Sequence, residues 1–173
     1  MVNKFFRSII ETSGESKTLT GSQSPEELLQ WMNNNLTYLG ENKKRLYLPE
    51  EVIDKKKGHC WEVADLTYHE LGAMGYVCYL LYLEDEGFKQ THTTLIYYDG
   101  DKYFWFEWAW GKNKGIHGPF KTKEDVVRLV IAKFKKQYLT IERAKLGHGR
   151  IKPNMTEREY ILMTNRWKNV LSL

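Results

Sequence analysis

A cysteine attacks a carbonyl carbon as its thiolate, so it needs surroundings that favour negative charge on sulfur and a base within reach. Cys60 has such surroundings. It follows Gly58 and His59 and opens a stretch in which Val63, Ala64, Leu66 and Leu71 share one helical face, so a helix is expected to start at or beside it. The unpaired N–H groups and the dipole of that helix start would favour the thiolate, and the same N–H groups can bind the oxyanion formed on attack. Gly58 allows a tight backbone approach just before it.

The base is expected to come from farther along the chain. His59 adjoins Cys60, but consecutive side chains do not face each other at a helix start. His92 lies in the run Thr91–Tyr98, rich in β-branched and aromatic residues, and Lys102–Trp110 follows across Asp99-Gly100, a hairpin signal. If Asp99 and Gly100 are the two turn residues, Tyr98 pairs with Asp101 and, counting outward, His92 stands directly opposite Glu107. Opposed residues of an antiparallel pair are close enough for a carboxylate to hold an imidazole ring, while a longer turn would offset them. With one ring nitrogen bonded to Glu107, the other is free to face Cys60.

The elements that must position these residues follow the same rules. Residues 1–23 are read as a flexible lead-in, with Ser, Thr and Gly frequent from Thr12 to Ser24, and residues 24–173 as a single domain with a C-terminal helical extension. Ser24-Pro25-Glu26-Glu27 combines a capping hydroxyl, a proline at the first helical position and a glutamate three residues on, and predicts a helix ending among Asn33, Asn34 and Asn35. Leu46–Ile53 reads as an irregular connection around Pro49, and Lys55–Gly58 as a polar loop. The Cys60 helix stops near Gly72 and Gly75, and a strand is expected from Tyr76 to Leu83. Both faces of the following hairpin are apolar, so it should lie inside a sheet covered by helices. After a loop around Pro119, Thr122–Lys136 reads as a helix, Gly147–Pro153 as a loop, and Thr156 with Glu159 as the capping box of a closing helix. The expected class is α+β: the cysteine helix packed on an antiparallel sheet of at least three strands, with C-terminal helices covering it.

Composition narrows the functional classes. A 42% hydrophobic and 14% aromatic chain can bury a core and is not compositionally disordered. The net charge of +4 is too small to demand a nucleic-acid partner, and the lysine runs read as solvated faces or loop edges. Two cysteines form no disulfide framework, the apolar stretch Phe5–Ile10 is broken by Arg7, and neither a signal peptide nor a membrane span is read, so cytoplasm is expected. Cys78, in an apolar run, reads as a buried small hydrophobe. His59, His69, His117 and His148 read as loop or surface residues without the short paired spacings of a zinc site, and no metal or cofactor is expected.

The segment Gly58-His59-Cys60-Trp61-Glu62-Val63-Ala64, a helix ending near Leu71-Gly72-Ala73-Met74-Gly75-Tyr76, a strand, His92 on the next strand and an acid on the one after resemble the transglutaminase-like superfamily within the papain-like fold. The resemblance covers roughly Ser24 to Gly111. It implies Cys60 as nucleophile, His92 as base and Glu107 as the group that orients it. Two positions depart from the family pattern: Glu107 stands where Asp is usual, and Thr94 where an aromatic often follows the histidine by two. The family often completes its oxyanion hole with an upstream side chain, for which Gln30, Asn34, Tyr38 and Tyr47 are all candidates, with Trp61 and Trp105 as further candidates for substrate contact. The expected function is thiol-dependent acyl transfer on a peptide or amide, by hydrolysis or by transamidation. The alternative is a binding module without turnover that offers its basic C-terminal helices to an acidic protein partner.

Overall fold

The computed structural model describes residues 17–40 and 44–172. Helix α1 (Pro25–Asn35) begins as its sequence dictates, with Ser24 Oγ accepting from Glu27 N at 3.2 Å, and it buries Leu28 and Met32. The flexible lead-in expected over residues 1–23 lies outside the described residues as far as residue 16. Residues 17–23 are tied down at Glu70, which accepts from Leu19 N at 2.8 Å and Thr20 N at 3.0 Å.

A short strand β1 (Thr37–Tyr38) follows α1, then helix α2 (Pro49–Lys55), strand β2 (Lys57–Gly58) and helix α3 (Cys60–Ala73). The irregular connection and polar loop expected between Leu46 and Gly58 are therefore corrected to a helix and a strand. Pro49 takes the first helical position, and Glu51 reaches back to accept from Leu48 N at 3.0 Å, so this start carries a capping signal without a Ser or Thr to announce it. β1 and β2 pair in parallel, with Tyr38 beside Gly58.

The main sheet is antiparallel, formed by β3 (Val77–Glu84), β4 (Thr91–Tyr98), β5 (Tyr103–Glu107), β6 (Gly115–Phe120), β7 (Arg143–Gly147) and β8 (Lys168–Asn169) in the order β6-β5-β4-β3-β7-β8. β6 replaces the expected loop around Pro119; its two glycines and proline disguise it, and the proline is tolerated because β6 lies at the sheet edge. The strand expected over Lys102–Trp110 stops at Glu107, after which the chain bends into a short 3-10 turn, Gly111–Asn113.

Helices cover both faces. On one side α1 and α3 pack with Leu80, Tyr82, Leu95, Tyr97 and Phe106. On the other, α4 (Lys123–Tyr138) buries Val126, Val127, Val130 and Phe134 against Leu81, Leu83, Ile96 and Trp105. The closing helix α5 (Glu157–Thr164) starts at the expected capping box, where Thr156 Oγ1 accepts from Glu159 N at 3.3 Å, and it adds the fully buried Tyr160 to the first side. No helix among the described residues is long and apolar enough to cross a membrane.

Asp65 ties α3 to the segment between β7 and α5, its Oδ1 accepting from Arg150 Nε at 2.8 Å. Burial pushes this carboxyl up to about 6 against the opposing pull of Arg150. A folded value above the unfolded one means that the stability linked to Asp65 is fully present below about pH 4 and is lost as pH rises through about 6. At about 1.4 kcal/mol per unit the loss is on the order of 3 kcal/mol. Asp65→Asn is expected to remove that dependence, so its stability relative to the parent should improve between pH 4 and pH 7. Urea melts at the two pH values check this, and a stability difference that does not change with pH would contradict it.

Candidate active site

Cys60 is the first residue of α3. The helix start is capped by its neighbours: His59 Nδ1 accepts from Trp61 N at 3.2 Å, and Glu62 Oε2 accepts from His59 N at 3.0 Å. His59, expected on a loop or at the surface, sits between β2 and α3 as a buried cap, a role its position next to Cys60 conceals. The fully buried Glu62 also accepts from Tyr47 N at 2.7 Å, which fastens the approach to α2 onto the helix start. A side chain at Gly58 would press on Glu62 and Val63 at 3.3 Å, so the close approach expected of this glycine is present.

His92 and Glu107 meet, but not by the expected register. The turn takes in Asp99 to Lys102, Tyr98 pairs with Tyr103, and Leu95 pairs with Phe106, so Glu107 continues the ladder at the level of Thr94 and not of His92. Asp99 causes the wider turn, with Oδ1 accepting from Asp101 N at 2.9 Å and Lys102 N at 2.8 Å. A shift of two residues keeps both side chains on one face. The pair is then diagonal, which a long side chain can span, and Glu107 Oε2 lies 2.7 Å from His92 Nε2.

The second carboxylate oxygen of Glu107 accepts from Trp110 N at 2.8 Å. The Trp110 ring stands edge-on to His92 at 5.2 Å and donates from Nε1 to Gln137 Oε1 at 2.7 Å. Trp110 is a support that sequence reasoning missed, because it depends on the bend after β5. Thr94, at the position where an aromatic is usual, donates from Oγ1 to Phe106 O at 3.0 Å and accepts from Trp105 Nε1 at 2.6 Å, tying β4 to β5.

With Nε2 engaged by Glu107, the other ring nitrogen of His92 is the one available to Cys60, which shares a small cavity with Glu107 and is near enough to His92 to raise its imidazole. By strand alternation His92 and Glu107 belong to the face that α4 covers, whereas Cys60 comes from a helix on the other face. They meet where β4 begins, at the end of the sheet. Burial of the ring favours its neutral form, but the charge of Glu107, the hydrogen bonds to Cys60 and Glu107, and the charge of Cys60 outweigh it, so the imidazole is pushed up to about 10.

Of the upstream candidates, Tyr38 reaches the site. Pairing of β1 with β2 sets it beside the approach to Cys60, and burial, the Cys60 charge and a hydrogen bond to the Cys60 side chain raise its phenol above the ordinary range. Gln30 and Asn34 are exposed on α1 and do not line the groove at Cys60. Tyr47 turns its ring toward Arg45 and Lys55, at 5.9 and 5.5 Å, away from that groove. Trp61 does line it, stacked on Tyr160 at 4.8 Å. Trp105 is fully buried under α4, so its expected place in a substrate groove is corrected to core.

The groove holds about 300 Å³, and its walls come from Tyr38 and Gly40, the start of α3, the β3–β4 connection and Glu157 of α5. His117, expected on a loop or at the surface, lies half-buried in β6 with its ring stacked on Trp105 at 4.4 Å. Cys78 is buried as expected, and burial pushes its thiol up to about 12.

An α+β architecture with a cysteine at a helix tip, a histidine on a neighbouring strand and a carboxylate on the next defines the papain/transglutaminase-like class of fold. The family model of the transglutaminase-like domain matches residues 10–111, more than half of the chain, and the protein belongs to that family. No curated protein matches the chain. Among solved structures, calcium-bound LapG of Legionella pneumophila is similar at 15% identity and a TM-score of 0.44, covering 94% of this chain and 97% of that one. A further LapG structure is similar at 19% identity and a TM-score of 0.38, covering 57% and 67%. A candidate cysteine protease from Cytophaga hutchinsonii is similar at 16% identity and a TM-score of 0.42; the alignment covers 49% of this chain and spans only 30% of the Cytophaga protein. Family membership stands on the sequence match.

Proposed function

We propose that the protein is a thiol-dependent acyl-transfer enzyme acting on a peptide or amide, with Cys60 as nucleophile, His92 as base and then acid, and Glu107 as the residue that orients His92. The observation that carries the reading is the buried His92–Glu107 pair at 2.7 Å, whose carboxylate shares a small cavity with Cys60, at a helix start that borders an open groove. The Cys60 thiolate attacks the amide carbon, and the oxyanion is received by amide groups of the α3 start and by the Tyr38 hydroxyl. The imidazolium of His92 gives its proton to the leaving amine as the C–N bond breaks, leaving a thioester on Cys60. Water or a second amine then adds to the thioester, His92 takes up the proton, and the thiolate departs. Water makes the enzyme a peptidase or amidase; an amine makes it a transglutaminase.

The test is alkylation by iodoacetamide between pH 6 and 8, read residue by residue by mass spectrometry. Cys60 is expected to label at least about tenfold faster than Cys78, whose thiol is held protonated by burial. An activity-based thiol probe should label the native protein and miss Cys60→Ala. Equal, slow labelling of both cysteines would instead favour a binding module on the same fold.

A further inference from the structure

Phe88 stands on the β3–β4 connection, 48% exposed and with its backbone left-handed at φ 59°. Both features are unfavourable, the first because apolar surface stays in water, the second because the Cβ of an L residue crowds its own carbonyl in this region. The loop itself gives no reason for an aromatic residue. It is held by Asp85, whose Oδ1 accepts from Lys89 N at 2.8 Å and Gln90 N at 2.7 Å, and by the backbone bonds Asp85 N to Gln90 O at 3.0 Å and Phe88 N to Asp85 O at 3.2 Å. Asparagine would meet those demands at lower cost, since its side chain tolerates the left-handed region.

The ring does have a place in the site. Phe88 lines the groove that contains Cys60, together with Tyr38, a second exposed aromatic, which is 49% exposed. Lys89 and Glu157 line the same groove, so its charges are of both signs and select neither. A strained, exposed aromatic on a tightly tied loop beside the reacting sulfur is what a substrate contact requires.

We propose that Phe88 is a specificity-determining residue that grips an apolar side chain of the acyl donor beside the amide carbonyl attacked by Cys60. The substrate class is then a peptide with a large apolar residue at that position. This rests on the thiol reading above, and the experiment separates the two. Acetyl-peptide chloromethyl ketones carrying leucine or phenylalanine, or aspartate or lysine, next to the reactive group are compared by their second-order rates of Cys60 alkylation, with iodoacetamide as a reagent that offers no side chain. The native protein should prefer the apolar peptides by about tenfold or more. Phe88→Asn should reduce that preference to about twofold or less while its iodoacetamide rate and melting temperature hold or rise, and Phe88→Leu should restore most of it. An unselective native protein, or a Phe88→Asn variant that keeps the preference, overturns the Phe88 assignment and leaves the thiol reading intact. Slow iodoacetamide labelling of Cys60 in the native protein overturns both.

Discussion

Replacing His92 with alanine is expected to lower kcat/KM on any amide substrate by about 10³-fold or more, and to slow iodoacetamide labelling of Cys60 at neutral pH. On the proposed mechanism the imidazole has two tasks. It would face the sulfur as a cation and would be the proton donor to the leaving amine. The helix start and the Tyr38 hydroxyl would remain, so some polarisation of the carbonyl would survive, but the thiolate would lose its counter-charge. The substitution also leaves Glu107 buried at 2% exposure without its partner, a fault that commonly costs about 3–5 kcal/mol. His92→Asn keeps a side-chain donor and serves as the better-folded companion. If both variants fold and keep more than about a tenth of the parent rate, His92 is not the base.

Glu107→Gln is expected to cost about 10²-fold in kcat/KM with little change in shape. The amide keeps an acceptor for Trp110 N, but it removes the charge that holds the His92 proton. Burial is then the strongest remaining influence on the ring, and it favours the neutral form, so alkylation of Cys60 between pH 6 and 8 should slow. The stability effect has a defined sign. The folded value for His92 is raised above its unfolded value, so its contribution is fully present below about pH 6.5 and is lost as pH rises through about 10. Glu107→Gln forfeits that contribution, and the stability gap to the parent should narrow above pH 10. A variant with parent-like kinetics, or a gap that is constant across this range, would show that Glu107 does not act through the His92 charge.

The elements that carry the three candidate residues were legible because the local settings of those residues are strong. Cys60 could be placed at a helix tip because Val63, Ala64, Leu66 and Leu71 keep a helical period, and His92 lies in a strand whose bounds, Thr91–Tyr98, matched the expectation. The pairing of His92 with Glu107 was reached through a register that is not the one formed. The error was one of turn length. Asp99 folds the chain into a four-residue turn, and the resulting two-residue offset leaves the parity of faces untouched, so the partner stayed the same while the geometry became diagonal. A one-residue offset would have put Glu107 on the other side of the sheet.

The missed elements share a cause. β6 carries glycines and a proline, β7 is a short alternation of charged and apolar residues inside a basic run, and α2 opens on a proline that looked like a break. Each is stabilised mainly by a partner distant in the chain and only weakly by its own composition. Tyr38 was one of four equal upstream candidates for the same reason. It is selected by a two-residue parallel pairing of β1 with β2, which has no periodicity of its own to read.

Sequence by itself determined the chemistry available: a thiol at a helix start, an imidazole and a carboxylate on successive strands, and enough alternating and helical apolar residues to build an α+β core. These are consequences of residue type and short-range period, which act within a few positions of the chain. Tertiary structure alone decided which groups surround that chemistry. The diagonal reach of Glu107 with its Trp110 support, the choice of Tyr38, the burial of Trp105 and the Phe88 wall of the groove all depend on register, strand order and loop closure. Those are set by contacts between segments tens of residues apart, where no local pattern carries the information.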